Sequence, residues 1–448
     1  MYNKYVDGEG IDMLLEFKFS NYKSFVEETT FSMMPAPKQT GLDYSILKEK
    51  IGRKNHKALC SAVIYGPNAA GKTNIIAAME TLKVIVSRGN ILNSDSVFSP
   101  NVASTILELV PNSSIENTPT NFSISFIENN LLIKYDLTID LGSFLETDYE
   151  RKIINETLTI NENIVYKRDE NELEISLPSC IKSFLNNGIK KINSTTEEIA
   201  RNSLSETELF LTNGFKTIFA QDLVSLILNW FTNKFIVIYR SDALRIINNF
   251  AKPTENSVYT EKTLNEAAIA FGINSNGLKY IYNNENKEPL LCSVFDDKNT
   301  NLPAELYESY GTLRFISEFL LVIKALLKGA TLVMDEFDAS IHPMALMNVI
   351  SIFHNDNINK NNAQLIFNTH NPIFLDSSLF RRDEIKFVER DELTNFSHHY
   401  SLSDFKTADG VRKGEDYMSK YFLSRYGAIK EVDFSPILEK LINKDNGE

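Results

Sequence analysis

Eight consecutive residues, Gly66-Pro67-Asn68-Ala69-Ala70-Gly71-Lys72-Thr73, set two glycines, a lysine and a hydroxyl at the spacing G-x-x-x-x-G-K-[ST]. The chemistry of that spacing is phosphate binding. Glycines let backbone N–H groups curl around phosphate oxygens, and a helix starting at the lysine adds the positive end of its dipole. Lys72 is expected to reach the β- and γ-phosphates of a nucleoside triphosphate, Thr73 to ligate Mg²⁺, and Asn74 to continue the cradle. A second cluster, Thr331-Leu332-Val333-Met334-Asp335-Glu336, is an apolar run that ends in two acids. Asp335 would hold Mg²⁺ through water, and Glu336 would orient and deprotonate the attacking water. An acidic turn after a strand also occurs without a ligand, so the pairing with the phosphate loop carries the reading.

Two more groups bear on the same chemistry. The apolar run Ala363 to Phe367 ends in Asn368-Thr369-His370-Asn371-Pro372. His370 either hydrogen-bonds the γ-phosphate and reports its loss or is a satisfied structural histidine. Glu308-Ser309-Tyr310-Gly311-Thr312 opens an apolar helical stretch, Leu313 to Leu327. Ser309, Gly311 and the first free N–H groups would make a second anion site, whereas Ser309 or Thr312 would otherwise simply cap the helix. No Asn-Lys-x-Asp guanine-reading motif is present, which makes ATP the expected nucleotide.

These residues need elements to position them. Ala62 to Tyr65 reads as a strand feeding the glycine loop, and Ile75, Ile76, Met79, Leu82 and Ile85 give Asn74 to Val86 a helical period. Leu15, Phe17 and Phe19 alternate with polar neighbours, as do Thr29, Phe31 and Met33, so two strands flank the turn Asn21-Tyr22-Lys23-Ser24. From Asn121 the period is two, through Phe122, Ile124, Phe126, then Ile133 to Leu141, then Leu173, Ile175 and Leu177, which predicts an antiparallel meander. Residues 186–300 read as mainly helical and irregular, with no sustained heptads. After Tyr307 the rhythm is that of an α/β sheet, and the last 40 residues read as helices with charged faces.

Composition bounds the rest. A chain of 448 residues with 43% hydrophobic content predicts two or three lobes rather than disorder. Cys60, Cys180 and Cys292 lie far apart without metal-ligand spacing, which fits a reducing cytoplasm and a role as buried filler. Met1 to Met13 lacks a secretory pattern, and the most apolar stretch, Phe315 to Met334, is broken by Ser317, Glu318, Lys324 and Lys328, so no membrane span is expected. The net charge of −13 argues against charge-driven DNA binding.

The motifs, in chain order the phosphate loop, the Ser309 to Gly311 signature, the Asp335-Glu336 strand and His370, resemble the ABC ATPase heads of the Rad50, SMC and RecF kind. Asn21-Tyr22-Lys23-Ser24-Phe25 also resembles the N-aromatic-basic-Ser-Phe turn near the start of such heads. The resemblance implies an α/β, ABC-type P-loop head with an inserted antiparallel β lobe and a helical lobe. The expected division is 1–110 for the first half of the head, 111–185 for the β lobe, 186–300 for the helical lobe and 301–448 for the second half. It further implies a homo-oligomer built from head dimers, in which Ser309 and Gly311 act in trans on the partner's nucleotide. The chain departs from the pattern at Glu308, where leucine is usual, and at Tyr310, where glycine is usual; the glutamine that follows the phosphate loop in such heads has no evident counterpart.

A closer resemblance is to bacterial stand-alone ABC-type ATPases of abortive-infection and anti-phage systems, among them the ATPase of the phage anti-restriction-induced system. The matching pieces are Phe19 to Phe25, Tyr65 to Thr73, Glu308 to Thr312, Asp335-Glu336-Phe337-Asp338-Ala339-Ser340-Ile341-His342-Pro343, and Tyr421 to Ile429. This resemblance implies control of a separately encoded effector, such as a TOPRIM-like nuclease. A DNA-repair or DNA-clamping ATPase of the Rad50/RecF type is the competing reading, and a transporter motor the weakest. His342-Pro343 would neighbour the dimer's ATP or merely start a helix.

Overall fold

The computed structural model describes residues 10–37, 39–93, 107–144, 146, 149–170, 172–186, 189, 192–239, 262–283, 288–295, 300–406, 414–430, 432–436 and 438–439. The first hairpin pairs β1 (Met13–Ser20) with β2 (Thr29–Ser32), and a second pairs β3 (Ile46–Ile51) with β4 (Lys54–Leu59). The buried strand β5 (Ser61–Tyr65) then leads through the glycine loop into helix α1 (Lys72–Arg88). An antiparallel meander follows: β6 (Thr120–Glu128), β7 (Leu131–Asp140), β8 (Lys152–Ile160), β9 (Asn163–Arg168) and β10 (Leu173–Ile175). Its sheet order is β10-β9-β8-β7-β6-β1-β2, so the first hairpin completes the meander instead of standing apart from it.

The period of two in the sequence has its expected consequence. Phe122, Ile124, Phe126, Ile133, Tyr135, Leu137 and Ile139 are buried, while most of their neighbours along the strands are only partly covered. Those residues share one core with Ile75, Ile76, Met79 and Leu82 of α1. The helix that starts at the phosphate loop is thus held by the antiparallel sheet on one side.

Helices α2 (Ser194–Asn202) and α3 (Gln221–Asn229) precede β11 (Phe235–Ile238). Helix α4 (Lys262–Phe271) leads into a three-stranded antiparallel sheet, β12 (Gly277–Asn283), β13 (Glu288–Phe295) and β14 (Thr300–Pro303). Then come α5 (Tyr310–Lys328), β15 (Thr331–Met334), α6 (Pro343–Phe353), β16 (Gln364–Asn368), β17 (Ile385–Arg390), β18 (Ser397–Ser401) and α7 (Tyr417–Phe422). The second large sheet runs β11-β15-β16-β5-β17-β18, parallel throughout except for β18. Val333 pairs with Ile366, and Phe367 with Val63, so β15, β16 and β5 end together. The carboxyl edge of a parallel sheet is where α/β folds place ligand chemistry.

Three expectations need correction. Among the described residues of 186–300 helices predominate, but strands are present that the helical reading omits: β11 is an edge strand of the parallel sheet, and β12 and β13 form a hairpin. Phe235-Ile236-Val237-Ile238 is a continuous apolar run, which carries no alternation to betray a strand. The strands expected as an inserted β lobe over 111–185 are antiparallel as expected but share their sheet with β1 and β2. In the last 40 residues, α7 is the one helix long enough to number among the described residues, and turns at Ser424 and Gly427 adopt positive φ. Among the described residues, no helix is long and apolar enough to cross a membrane.

Candidate nucleotide site

The phosphate loop is bent where the carboxyl end of β5 meets its neighbours. A Cβ on Gly66 would sit 2.2 Å from the Val388 carbonyl oxygen, so β17 passes too close for any side chain. Gly71 has φ +113°, and a Cβ there would lie 2.7 Å from Ser397 Oγ and 3.0 Å from Ser24 Oγ. Those hydroxyls form a brace. Ser397 Oγ donates to the Ala70 carbonyl at 2.6 Å and lies 2.7 Å from Ser24 Oγ, a hydroxyl pair, and Asn74 Nδ2 donates to Ser24 Oγ at 2.8 Å. The turn Asn21–Phe25 is therefore part of the loop's support. Its own frame is the segment after α1: Asn112 N donates to Asn21 Oδ1 at 2.9 Å, and Asn112 Nδ2 to the Lys23 carbonyl at 2.7 Å.

Lys72 is buried, and its Nζ donates to the carbonyls of Gly66 at 2.8 Å and Pro67 at 3.0 Å. Burial pushes its ammonium down to about 8, against the opposing pull of Asp335, Glu336 and Asp338. A triphosphate would give this ammonium charged acceptors in place of its own loop carbonyls.

The structure brings the acids to the same place. Thr73 Oγ1 donates to Asp335 Oδ1 at 3.0 Å, and Asn368 Nδ2 donates to that same oxygen at 2.5 Å. Burial raises the Asp335 carboxyl above its ordinary value, while the Asn368 and Thr73 hydrogen bonds pull it back. A hydroxyl and a carboxylate oxygen this close are hard donors of the kind Mg²⁺ takes, with water filling the remaining positions. The residues present therefore fit Mg²⁺.

Glu336 sits in the left-handed region, φ +52°, a costly conformation for a residue with a side chain. Its backbone is clamped from both directions. Its N–H donates to Asn368 Oδ1 at 2.5 Å, and its carbonyl accepts from Arg314 Nη2 at 2.7 Å. Arg314 in turn pairs with Glu318 at 2.8 Å along α5. Burial raises the Glu318 carboxyl to about 8. One turn further, Thr369 Oγ1 donates to Asp338 Oδ2 at 2.7 Å, tying the end of β16 to the acidic turn. His370 follows directly and is exposed. Desolvation first, then the Lys72 charge, hold its imidazole below the ordinary value, and the three nearby acids oppose the shift.

Ser309 is the N-cap of α5: its Oγ accepts from the Thr312 N–H at 3.1 Å and pairs with Thr312 Oγ1 at 2.8 Å. Among the described residues no hydrogen bond joins Ser309 or Gly311 to the phosphate loop of the same chain. Gly311 packs on the acidic turn instead, where a Cβ would lie 2.3 Å from the Ser340 carbonyl oxygen. Glu308 explains its own departure from the usual leucine. It is buried, and its carboxylate accepts from Asn274 N at 2.9 Å, Ser275 Oγ at 2.6 Å and Ser293 Oγ at 2.9 Å, which anchors β13 to the start of α5. His342 caps α6, its Nδ1 accepting from the Met344 N–H at 3.2 Å, with Pro343 next in the first turn.

A family model described as "AAA domain, putative AbiEii toxin, Type IV TA system" matches residues 61–376, well over half of the sequence. The chain belongs to this AAA_21 family. The matched span begins at β5 and takes in the phosphate loop, Ser309, Asp335, Glu336 and His370, so the chain is a P-loop NTPase by family as well as by motif. None of the curated proteins compared with it matches. Among solved structures, it is similar to "Crystal structure of the SmcHead bound to the C-winged helix domain of ScpA", at 12% identity over 87% of this chain and 99% of that one, with a TM-score of 0.37.

Reasoning from sequence missed Asn368, Arg314, Asp338, Thr369 and Ser397 as members of the site. Asn368 and Thr369 were legible only as the end of a strand, although their position beside His370 was a usable signal. Arg314 and Ser397 act through partners 22 and 327 to 373 residues away, for which no local pattern exists.

Proposed function

We propose that the chain hydrolyses ATP with Mg²⁺, that two copies close on two nucleotides as ABC-type heads, and that this closure controls a separately encoded effector in an abortive-infection system. The observation that carries the enzymatic part is the junction at Asp335, where the phosphate loop's Thr73 and the Asn368 amide meet one carboxylate oxygen beside a clamped Glu336. The family description, which names an abortive-infection toxin and a toxin–antitoxin system, supports the biological part.

In this reading Gly66 to Asn74 wrap the phosphates and Lys72 draws the β- and γ-oxygens. Thr73 and, through water, Asp335 hold Mg²⁺, which would supply charge neutralisation at those oxygens. The clamp on both sides of the Glu336 peptide fixes where its carboxylate can point, and that carboxylate deprotonates water for attack on phosphorus. His370, kept neutral near pH 7, offers a hydrogen bond to the γ-phosphate. The partner's α5 start, with its capped Ser309 and its Gly311, closes the far side of the pocket; loss of the γ-phosphate removes charge-assisted contacts there and loosens the pair. The partner's identity is the finer part of the proposal, with a TOPRIM-like nuclease as the expected class.

The test is ATP turnover together with sedimentation. Wild-type chain should hydrolyse ATP, and Glu336→Gln should hold ATP as a dimer with turnover reduced at least a hundredfold, the scale of a lost general base. Normal turnover in Glu336→Gln would remove that residue from its role. A nucleotide-dependent nuclease recovered with Glu336→Gln from its native cell supports effector control, whereas duplex DNA trapped in its place would favour clamping.

A further inference from the structure

At the opposite end of β5 from the phosphate loop lies a second cluster that the nucleotide chemistry does not use. Cys60 and Ser61 enter β5, His354 closes α6, and Glu384 precedes β17. All four are buried, and the donor atoms of Cys60, His354 and Glu384 lie within 4.8 Å of one another. His354 Nε2 is 3.1 Å from Glu384 Oε1 and 2.9 Å from Ser61 Oγ, which itself donates to Glu384 Oε1 at 2.7 Å. We propose that Cys60, His354 and Glu384, with the Ser61 hydroxyl beside them, form a buried site for a borderline divalent cation of the zinc class.

Four features carry this. The donors are sulfur, imidazole nitrogen and carboxylate oxygen, each a ligand type that zinc takes. Thiolate and carboxylate together neutralise a dication, so the filled site buries no net charge, which a buried ion requires. The Cys60 thiol is fully buried and has no side-chain hydrogen-bond partner among the described residues, while Ser61, His354 and Glu384 are bonded to one another. Glu384 is also oriented from outside, because its other oxygen accepts from the Arg381 N–H at 2.7 Å, as outer-shell partners of metal ligands do. Zinc–ligand bonds of about 2.0–2.3 Å place tetrahedral donors about 3.3–3.8 Å apart, so an ion would lengthen the 3.1 Å His354–Glu384 contact slightly and draw in the Cys60 thiol, which lies within 4.8 Å of both.

A hydrogen-bonded knot without metal would satisfy Ser61, His354 and Glu384 equally well, but it leaves the thiol's place in the cluster unexplained. A Ser-His-Glu hydrolytic triad is excluded by burial: Ser61 and Glu384 have no exposed surface for a substrate to reach. A cation here would bind the parallel sheet's strand β5 to α6 and to the turn before β17, pinning elements that are 294 and 324 positions from Cys60. Its effect is therefore on stability, with ATP turnover little changed.

The experiment uses the full chain, purified without metal affinity and dialysed against excess Mg²⁺. We expect about one zinc per chain by mass spectrometry of metals, the stoichiometry of a closed structural site. Replacing zinc with Co²⁺ should give a thiolate-to-cobalt charge-transfer band in the near ultraviolet. The band should persist in Cys180→Ser/Cys292→Ser and in Thr73→Ala, and vanish in Cys60→Ala. A wild-type chain that holds no zinc and gives no such band overturns the site without recourse to any variant. Equal zinc content in a folded Cys60→Ala chain overturns it as well. Loss of ATP turnover in Glu336→Gln with the band intact would show that the two sites stand or fall separately.

Discussion

Raising the pH from 7 to 9 should weaken ATP binding about tenfold, and Lys72 is the reason. In the nucleotide-free chain, burial holds its ammonium at about 8. Contact with phosphate oxygens favours the charged form, so the bound lysine stays protonated throughout this window. Binding above pH 8 therefore takes up a proton, and the dissociation constant grows roughly as one plus ten to the power of pH minus 8. That factor is about 1.1 at pH 7 and about 11 at pH 9, a loss of about 1.4 kcal/mol. The direction follows from the proton count: the complex binds more protons than the free chain, so affinity falls as pH rises. His370, held below its ordinary value in the nucleotide-free chain, is neutral there from pH 7 to 9, so the Lys72→Arg control separates any contribution it makes in the complex. Titration calorimetry on the Glu336→Gln chain, in two buffers of different ionisation enthalpy, measures both affinity and proton uptake. Lys72→Arg, whose guanidinium does not titrate here, should show no slope. A flat affinity between pH 7 and 9 with no proton uptake would refute the account of Lys72.

Other outcomes follow from the same geometry. Gly66→Ala should abolish nucleotide binding, because its Cβ would meet the Val388 carbonyl at 2.2 Å and displace either the loop or β17; fluorescent-nucleotide titration checks this. Arg314→Ala should lower kcat more than KM, since it frees the Glu336 carbonyl, and should cost about 1–3 kcal/mol in chemical denaturation. The figure stays below the usual penalty for breaking a buried ion pair, because Glu318, at about 8, is already largely protonated near pH 7, so losing Arg314 strands no buried carboxylate. Asn368→Ala should raise the Mg²⁺ concentration needed for turnover, as it removes the amide that orients Asp335, whereas ATP binding without metal should change little.

How much of this was legible in the sequence depends on whether the chemistry uses neighbouring residues. The phosphate loop is contiguous, so its spacing alone located Lys72 and Thr73, and the period of 3.6 behind it gave α1. Asp335 and Glu336 were legible because an apolar run ends in them. The Asn368 amide that joins Thr73's site to Glu336 was hidden, since nothing in Asn368-Thr369-His370 says which side chain faces β15. The edge strand β11 was hidden for another reason: four consecutive apolar residues have no period to distinguish a strand from a helix turn. Cys60 shows the limit most plainly. It was read as filler because no other ligand lies near it in sequence, while His354 and Glu384 meet it only after the parallel sheet has formed.

The central claim is a nucleotide pocket shared between two copies, and mixing two inactive chains tests it most directly. Lys72→Ala lacks a working phosphate loop, and Ser309→Arg blocks the α5 start that would cap the partner's nucleotide. Each alone should be inactive. Random mixing gives heterodimers with one intact composite site, so the mixture should recover about a quarter of wild-type ATP turnover if a two-fold dimer forms with independent sites. No recovery in a mixture shown to contain heterodimers, or full activity of Ser309→Arg by itself, would contradict it.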